Sequence, residues 1–238
     1  MLRSNRAWLG ASMKSSDHIP LWAVAMLAAL IPFITIHVTF LVSVYEGYVP
    51  LCNPYIDSCT SISRTGRHGT AYFIFKGAML PAALLGWWFW WLNRRWLHQL
   101  GASPNKLVWL PWLGLAAALA LGAYTLTLGH HGDGFRLIRR TGVVLYFSLT
   151  FIAQLILSAA LVTTAGWTAE GRRLLRLCQL VLGIGILSVL LTAFAYGLYS
   201  QIDDAFEWVL ALLINTHALW VAILWRRSGF HAKLWASR

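Results

Sequence analysis

Six runs of apolar residues, each long enough to cross about 30 Å of hydrocarbon as a helix, alternate along the chain with short polar stretches. They cover about residues 20–45, 71–92, 107–129, 142–165, 174–199 and 206–225. The pattern predicts an all-α polytopic membrane protein, a bundle of six transmembrane helices forming one domain over residues 1–238. Residues 1–19 precede the first helix and 226–238 follow the last. No cleavable signal peptide is expected: the stretch through Asp17 is polar, and the first apolar run is long enough to span and lacks a small-residue cleavage pattern.

Composition agrees with the pattern. Of 238 residues, 58% are hydrophobic and 11% charged, too little polar surface to cover a water-soluble domain. The formal net charge of +11 would suit a nucleic-acid partner if the basic residues covered one face. They sit instead in short clusters between apolar runs, so topology explains them and no nucleic acid is expected. Placing both ends and every second loop on one side collects Arg3, Arg6, Lys14, Arg94, Arg95, Lys106, Arg172, Arg173, Arg176, Arg226, Arg227, Lys233 and Arg238 there, 13 of the 19 basic residues. Both termini are therefore expected in the cytoplasm, in a bacterial inner membrane or a membrane of the eukaryotic secretory pathway. "WWFWWLNRRW" at 87–96 reads as an interfacial anchor of Trp and basic residues. Pro32, Pro81 and Pro111 fall inside spans, where kinks are expected.

The outer side is charge-balanced. Arg64, Arg67, Lys76, Arg136, Arg139 and Arg140 face six acids: Glu46, Asp57, Asp133, Asp203, Asp204 and Glu207. Topology does not require these cations, so they either pair with the acids across the mouth or bind an anionic ligand.

Three outer loops carry the chemistry. In the first, Cys52 and Cys59 flank the turn-forming "NPYIDS", and a disulfide is favoured over a zinc site completed by His68, His130 or His131. Cys178, inside the fifth span, reads as a buried apolar residue. After Cys59, "SISRTGRHG" sets Ser63, Arg64, Arg67 and His68 before a helix start near Ala71, the makings of a phosphate receptor, and Lys76 can snorkel up to it. The second loop, "GHHGDGFRLIRR", places Arg136, Arg139 and Arg140 on one face if it is helical. Its His130, His131 and Asp133 are weak candidates for a divalent metal; no other cofactor is expected. The third loop, "SQIDDAFEW", is acidic, and its Asp203, Asp204 and Glu207 are the natural partners of the arginines.

Deeper in the spans lie His37, Gln154, Asn215 and His217. Glu207 and His217 are separated by about 15 Å along a helix, too far for one coordination shell but able to line one polar furrow.

Together these motifs resemble the Frag, DRAM and Sfk family of six-helix membrane proteins, especially its Golgi branch assisting lipid remodelling of GPI anchors. The resemblance rests on Ser63, Gly66, Phe75, Lys76 and Pro81 within "SISRTGRHGTAYFIFKGAMLPAALL", on Asp133, and on Glu207, Asn215 and His217 within "EWVLALLINTH". It implies a fold over nearly the whole chain and a part in membrane-lipid handling. The functional expectation is thus an anionic headgroup held at the outer mouth by Ser63, Arg64, Arg67, His68, Lys76, Arg136, Arg139 and Arg140, with membrane lipids as partners. Glu207, His217 and Asp133 are the candidates for any catalytic step. One rival is a metal-dependent intramembrane lipid hydrolase; another is a non-catalytic subunit that binds a membrane-protein partner.

Overall fold

The computed structural model describes residues 18–233, and Arg3, Arg6, Lys14 and Arg238 of the basic count lie outside the described residues, as does most of each expected cytoplasmic end segment. Each apolar run is helical because a spanning backbone must satisfy its own N–H and C=O groups where no water reaches. The helices are α1 (Trp22–Tyr45), α2 (Ile62–Thr65), α3 (Gly69–Gln99), α4 (Pro104–Leu107), α5 (Leu110–Thr127), α6 (Asp133–Val162), α7 (Thr168–Phe194) and α8 (Tyr196–Arg227). All but the single turns α2 and α4 are long and apolar enough to cross a membrane, which gives the six expected spans. A short ribbon is added: β1 (His18–Pro20) pairs antiparallel with β2 (His231–Lys233).

The helices overrun their apolar windows, because hydropathy marks only the part in hydrocarbon while an established helix propagates into the interface. The largest differences are at α6, which begins at Asp133 rather than near 142, and α8, which begins at Tyr196 rather than near 206. Most of "GHHGDGFRLIRR" and all of "SQIDDAFEW" are therefore helix, and the third outer loop shrinks to a joint at Ala195 (φ −144°, ψ 50°).

The spans pack in sequence order, α1 on α3, α3 on α5, α5 on α6, α6 on α7 and α7 on α8, and α8 returns to α1. α6 and α8 meet only sparsely. At the ribbon end Trp96, Trp225, Leu97, Leu161 and Leu174 form one core; at the opposite, mouth end Ile36, Ile62, Phe75, Leu128 and Trp208 form another.

Two sequence expectations change here. The "WWFWWLNRRW" run is only partly an anchor: Trp88 and Trp91 face outward, but Trp90 and Trp96 are buried. Trp96 Nε1 donates to Ser228 Oγ at 2.9 Å, and buried Asn93 accepts from Trp225 Nε1 at 3.2 Å, so half the run fastens α3 to the end of α8. Pro111 does not kink α5; it sits in its first turn, where its missing N–H costs no helical bond.

Candidate functional site

The stretch 52–62 folds as a closed cap over the mouth end. Cys52 and Cys59 are joined by a disulfide. Inside the closed turn, Asn53 Oδ1 accepts from the Tyr55 amide at 3.1 Å and Asp57 Oδ2 accepts from the Asn53 amide at 2.7 Å. Asp57 is thus consumed by its own turn. The turn aims Tyr55 at α1, where its hydroxyl meets His37 Nε2 at 2.9 Å. His37 Nδ1 lies 2.7 Å from the Phe33 carbonyl, a contact that needs an N–H, so in the neutral ring Nε2 is left to accept from Tyr55. Burial raises the Tyr55 phenol above its ordinary value.

From Ser58 onward the loop is held by α8 at three successive points. Ala205 N donates to Ser58 Oγ at 3.1 Å, Trp208 Nε1 to the Thr60 carbonyl at 2.8 Å, and the Ile62 amide to Glu207 Oε2 at 3.2 Å. Glu207 is thereby turned toward the first residue of α2, whose cap is Ser61 accepting from Arg64 N at 3.2 Å. Thr65, at the end of α2, reaches Thr39 of α1 at 3.3 Å between hydroxyls.

The second half of the stretch starts α3. Glu46 accepts from the Thr70 amide through both carboxylate oxygens, at 3.1 and 3.0 Å, which satisfies an otherwise orphan donor and places a negative charge at a helix N-terminus. Gly69 makes this possible: its φ is +57°, and a Cβ there would run into the Glu46 carboxylate and the Tyr48 ring.

The salt-bridge network across the mouth, one of the two accounts of the outer cations, does not form among the described residues. Among the described residues the ion pairs are Arg136 with Asp133 and, at the ribbon end, Arg173 and Arg227 with Glu170. The acids are used otherwise: Glu46 caps α3, Asp57 closes its turn, and Glu207 accepts from Ile62. The Arg136, Arg139 and Arg140 cluster also divides. Arg136 and Arg140 are exposed, whereas Arg139 turns onto α5 and donates through Nη1 to the carbonyls of Thr127 (3.0 Å) and His130 (2.7 Å). Lys76 does the same, donating to the Leu126 carbonyl at 3.0 Å and to the Tyr72 hydroxyl at 2.6 Å. Both cations meet the C-terminal end of α5, where free carbonyls and the negative end of the helix dipole favour them.

Arg67 is different. It is half-buried, its Nη2 donates to Ser63 Oγ at 3.2 Å, and its Nε is buried with no hydrogen-bond partner among the described residues. Burial first, then the nearby Arg139, lower its guanidinium below the ordinary value. Arg139 is thus near enough to act on Arg67, and neither forms an ion pair among the described residues.

Arg67 and His68 line an open cleft of about 830 Å³ at the mouth, with Tyr48, Tyr72 and His130. Beneath lies a chamber of 50 Å³ bounded by Pro32, Phe75, Tyr124, Tyr146, Glu207 and Asn215. A second cavity of 40 Å³ shares Pro32, Tyr146 and Asn215 with it and continues to Gln154. Glu207 and Asn215 therefore lie along one path, but His217 does not join it. Buried in the α6 interface, His217 Nε2 is 3.0 Å from Ser158 Oγ, which itself donates to the Gln154 carbonyl at 2.7 Å; Cys178 Sγ lies 3.7 Å from the same hydroxyl. Among the described residues no three His, Cys, Asp or Glu side chains come together as metal ligands, and His130 instead packs against Phe135.

Sequence reasoning missed Tyr124, Trp208 and Ser158. Each stands in an apolar run and looks like filler there; only the packing gives Tyr124 a place in the same chamber as Glu207.

A family model described as the Frag1/DRAM/Sfk1/Cwh43P N-terminal domain matches residues 20–223. The chain belongs to this family. It is an integral, multi-pass membrane protein. No curated protein and no solved structure matches the chain. The residues that carry the Frag1/DRAM/Sfk1 resemblance now have physical roles: a Cβ at Gly66 would overlap the Phe75 ring, Lys76 holds the end of α5, and Glu207 holds the start of α2.

Proposed function

We propose that the protein handles membrane lipids and that its mouth binds an anionic lipid headgroup, with Arg67 and Arg139 as the principal cations and Ser63, Arg64 and His68 around them. The observation that carries this reading is the pair of guanidiniums. Arg67 is half-buried with its Nε unpartnered, Arg139 is near enough to disfavour its charge, and no carboxylate forms an ion pair with either among the described residues. A phosphate between them removes the repulsion and occupies the unused Arg67 Nε. Arg136 and Arg140 leave the leading group because they are exposed, and Lys76 because its one nitrogen already meets the Leu126 carbonyl and the Tyr72 hydroxyl, whereas Arg139 uses Nη1 alone in its bonds among the described residues.

Such a site suits lipid remodelling or the regulation of lipid distribution, and a headgroup clamp serves either. The test is native mass spectrometry of purified protein offered dioleoyl phosphatidylglycerol or dioleoyl phosphatidylcholine. Wild-type protein is expected to retain the anionic lipid preferentially, and Arg67→Gln with Arg139→Gln to lower that preference about tenfold, the scale of a charged hydrogen bond. An unchanged preference in the double variant would overturn the reading.

A further inference from the structure

Three features of the bundle follow one another from the mouth downward and outward: a cation pair, an unused hydroxyl, and an apolar exit. The hydroxyl is that of Tyr124. Its residue is 4% exposed, it lines the chamber, and its oxygen has no hydrogen-bond partner among the described residues. It stands one turn of α5 before Thr127, whose carbonyl accepts from Arg139 Nη1, so it lies deeper in the bundle than that cation, and Glu207 lines the same chamber. A buried phenol commonly finds an acceptor, because leaving it without one carries a desolvation cost.

The exit lies between α6 and α8. Phe147 and Ile214 bound the chamber on one side, and the same two residues bound a groove of 410 Å³ on the other, with Phe151, Ile186 and Leu210. That groove is lined almost wholly by apolar side chains from α6, α7 and α8, and it opens to the membrane where α6 and α8 meet only sparsely.

We infer that the chamber is the ester subsite of a phospholipid whose acyl chain leaves through the α6–α8 gap into the groove, with the Tyr124 hydroxyl donating to the ester carbonyl. The inference rests on the headgroup reading above and adds the linkage that the site recognises. The order of groups along the protein, cation pair, lone donor, apolar channel, is the order of phosphate, ester carbonyl and hydrocarbon along a phospholipid. A free phosphate would use the first element alone. An ether-linked lipid would use the first and third and leave the Tyr124 hydroxyl unused.

The experiment compares full-length protein and Tyr124→Phe by native mass spectrometry, using dioleoyl phosphatidate, its dialkyl ether analogue and inorganic phosphate as probes. Wild-type protein is expected to hold the ester lipid about three- to tenfold more tightly than the ether lipid, the range of one neutral hydrogen bond. Tyr124→Phe, which keeps the ring in the core, is expected to bind both lipids equally, at the wild-type affinity for the ether. Equal binding of ester and ether by wild-type protein overturns the ester subsite, as does discrimination that survives in Tyr124→Phe. Displacement of either lipid by inorganic phosphate at matched concentration overturns the lipid assignment. Arg67→Gln separates the two readings: weakened binding of both lipids with the ester preference intact supports the headgroup clamp, and unweakened binding defeats that clamp without touching the Tyr124 comparison.

Discussion

A carboxylate in the wall of a membrane bundle needs a donor, and Glu207 has one in the backbone of a loop rather than in an arginine. This decides what its replacement does. Glu207→Ala leaves the Ile62 amide without an acceptor and is expected to cost about 1–3 kcal/mol, while Glu207→Gln keeps a carbonyl oxygen and costs less. Thermal unfolding in detergent measures both, and equal losses would argue against the Ile62 bond. Tyr55 makes a prediction about pH. Its folded phenol titrates above its ordinary value, so the stability it contributes is complete below about pH 10 and declines as pH rises through the folded value. Alkaline unfolding should therefore be milder in Tyr55→Phe than in wild type above that pH. At this scale the sequence was readable in part. The disulfide was visible from spacing, and Glu207 stood out as a charge at a membrane boundary. Its partner was not, because a backbone N–H has no signature in the sequence, and opposite charges in two loops suggested a pairing that the helical extension of α8 diverted.

At the scale of elements, the cap over the mouth is fastened twice, by the disulfide and by α8. Reduction should therefore loosen the 52–59 turn without releasing 58–62, and the expected loss is about 2 kcal/mol, the chain-entropy value for so short a loop. Hydrogen exchange of the Ile62 amide after reduction tests this: protection should persist, and its collapse would mean that the three α8 contacts depend on the cross-link. The start of α3 is less forgiving. Gly69→Ala forces a side chain into a left-handed backbone and against Glu46 and Tyr48, and an expected cost of at least about 1 kcal/mol should appear as a lower unfolding temperature. Hydropathy located all six spans but not the ends of α6 and α8, since a polar stretch with good helix formers continues a helix that the membrane has already nucleated.

At the scale of the molecule, α8 packs against α1, and the ribbon of β1 and β2 brings residues 18–20 beside 231–233. On the positive-inside count the ribbon end is expected in the cytoplasm. Cysteines introduced at Gly101 and Ala169 should accordingly react with a membrane-impermeant maleimide only from the cytoplasmic side, and one at Ile56 only from the other; the reverse labelling would invert the bundle. The number of spans was legible because each needs a long apolar run, and their order around the bundle was not, because lipid-facing and core-facing residues are equally apolar.

The link between Ile62 and Glu207 spans 145 positions of sequence, and that between Thr60 and Trp208 spans 148. In a chain made from its N-terminus, the loop after the first helix exists long before the last helix. Its donors and acceptors must wait, hydrated, until α8 is inserted. The cap over the mouth is thus fastened only when α8 is made, and an unfinished or C-terminally truncated chain carries the arginines but not the three α8 contacts that hold the 58–62 loop beside them.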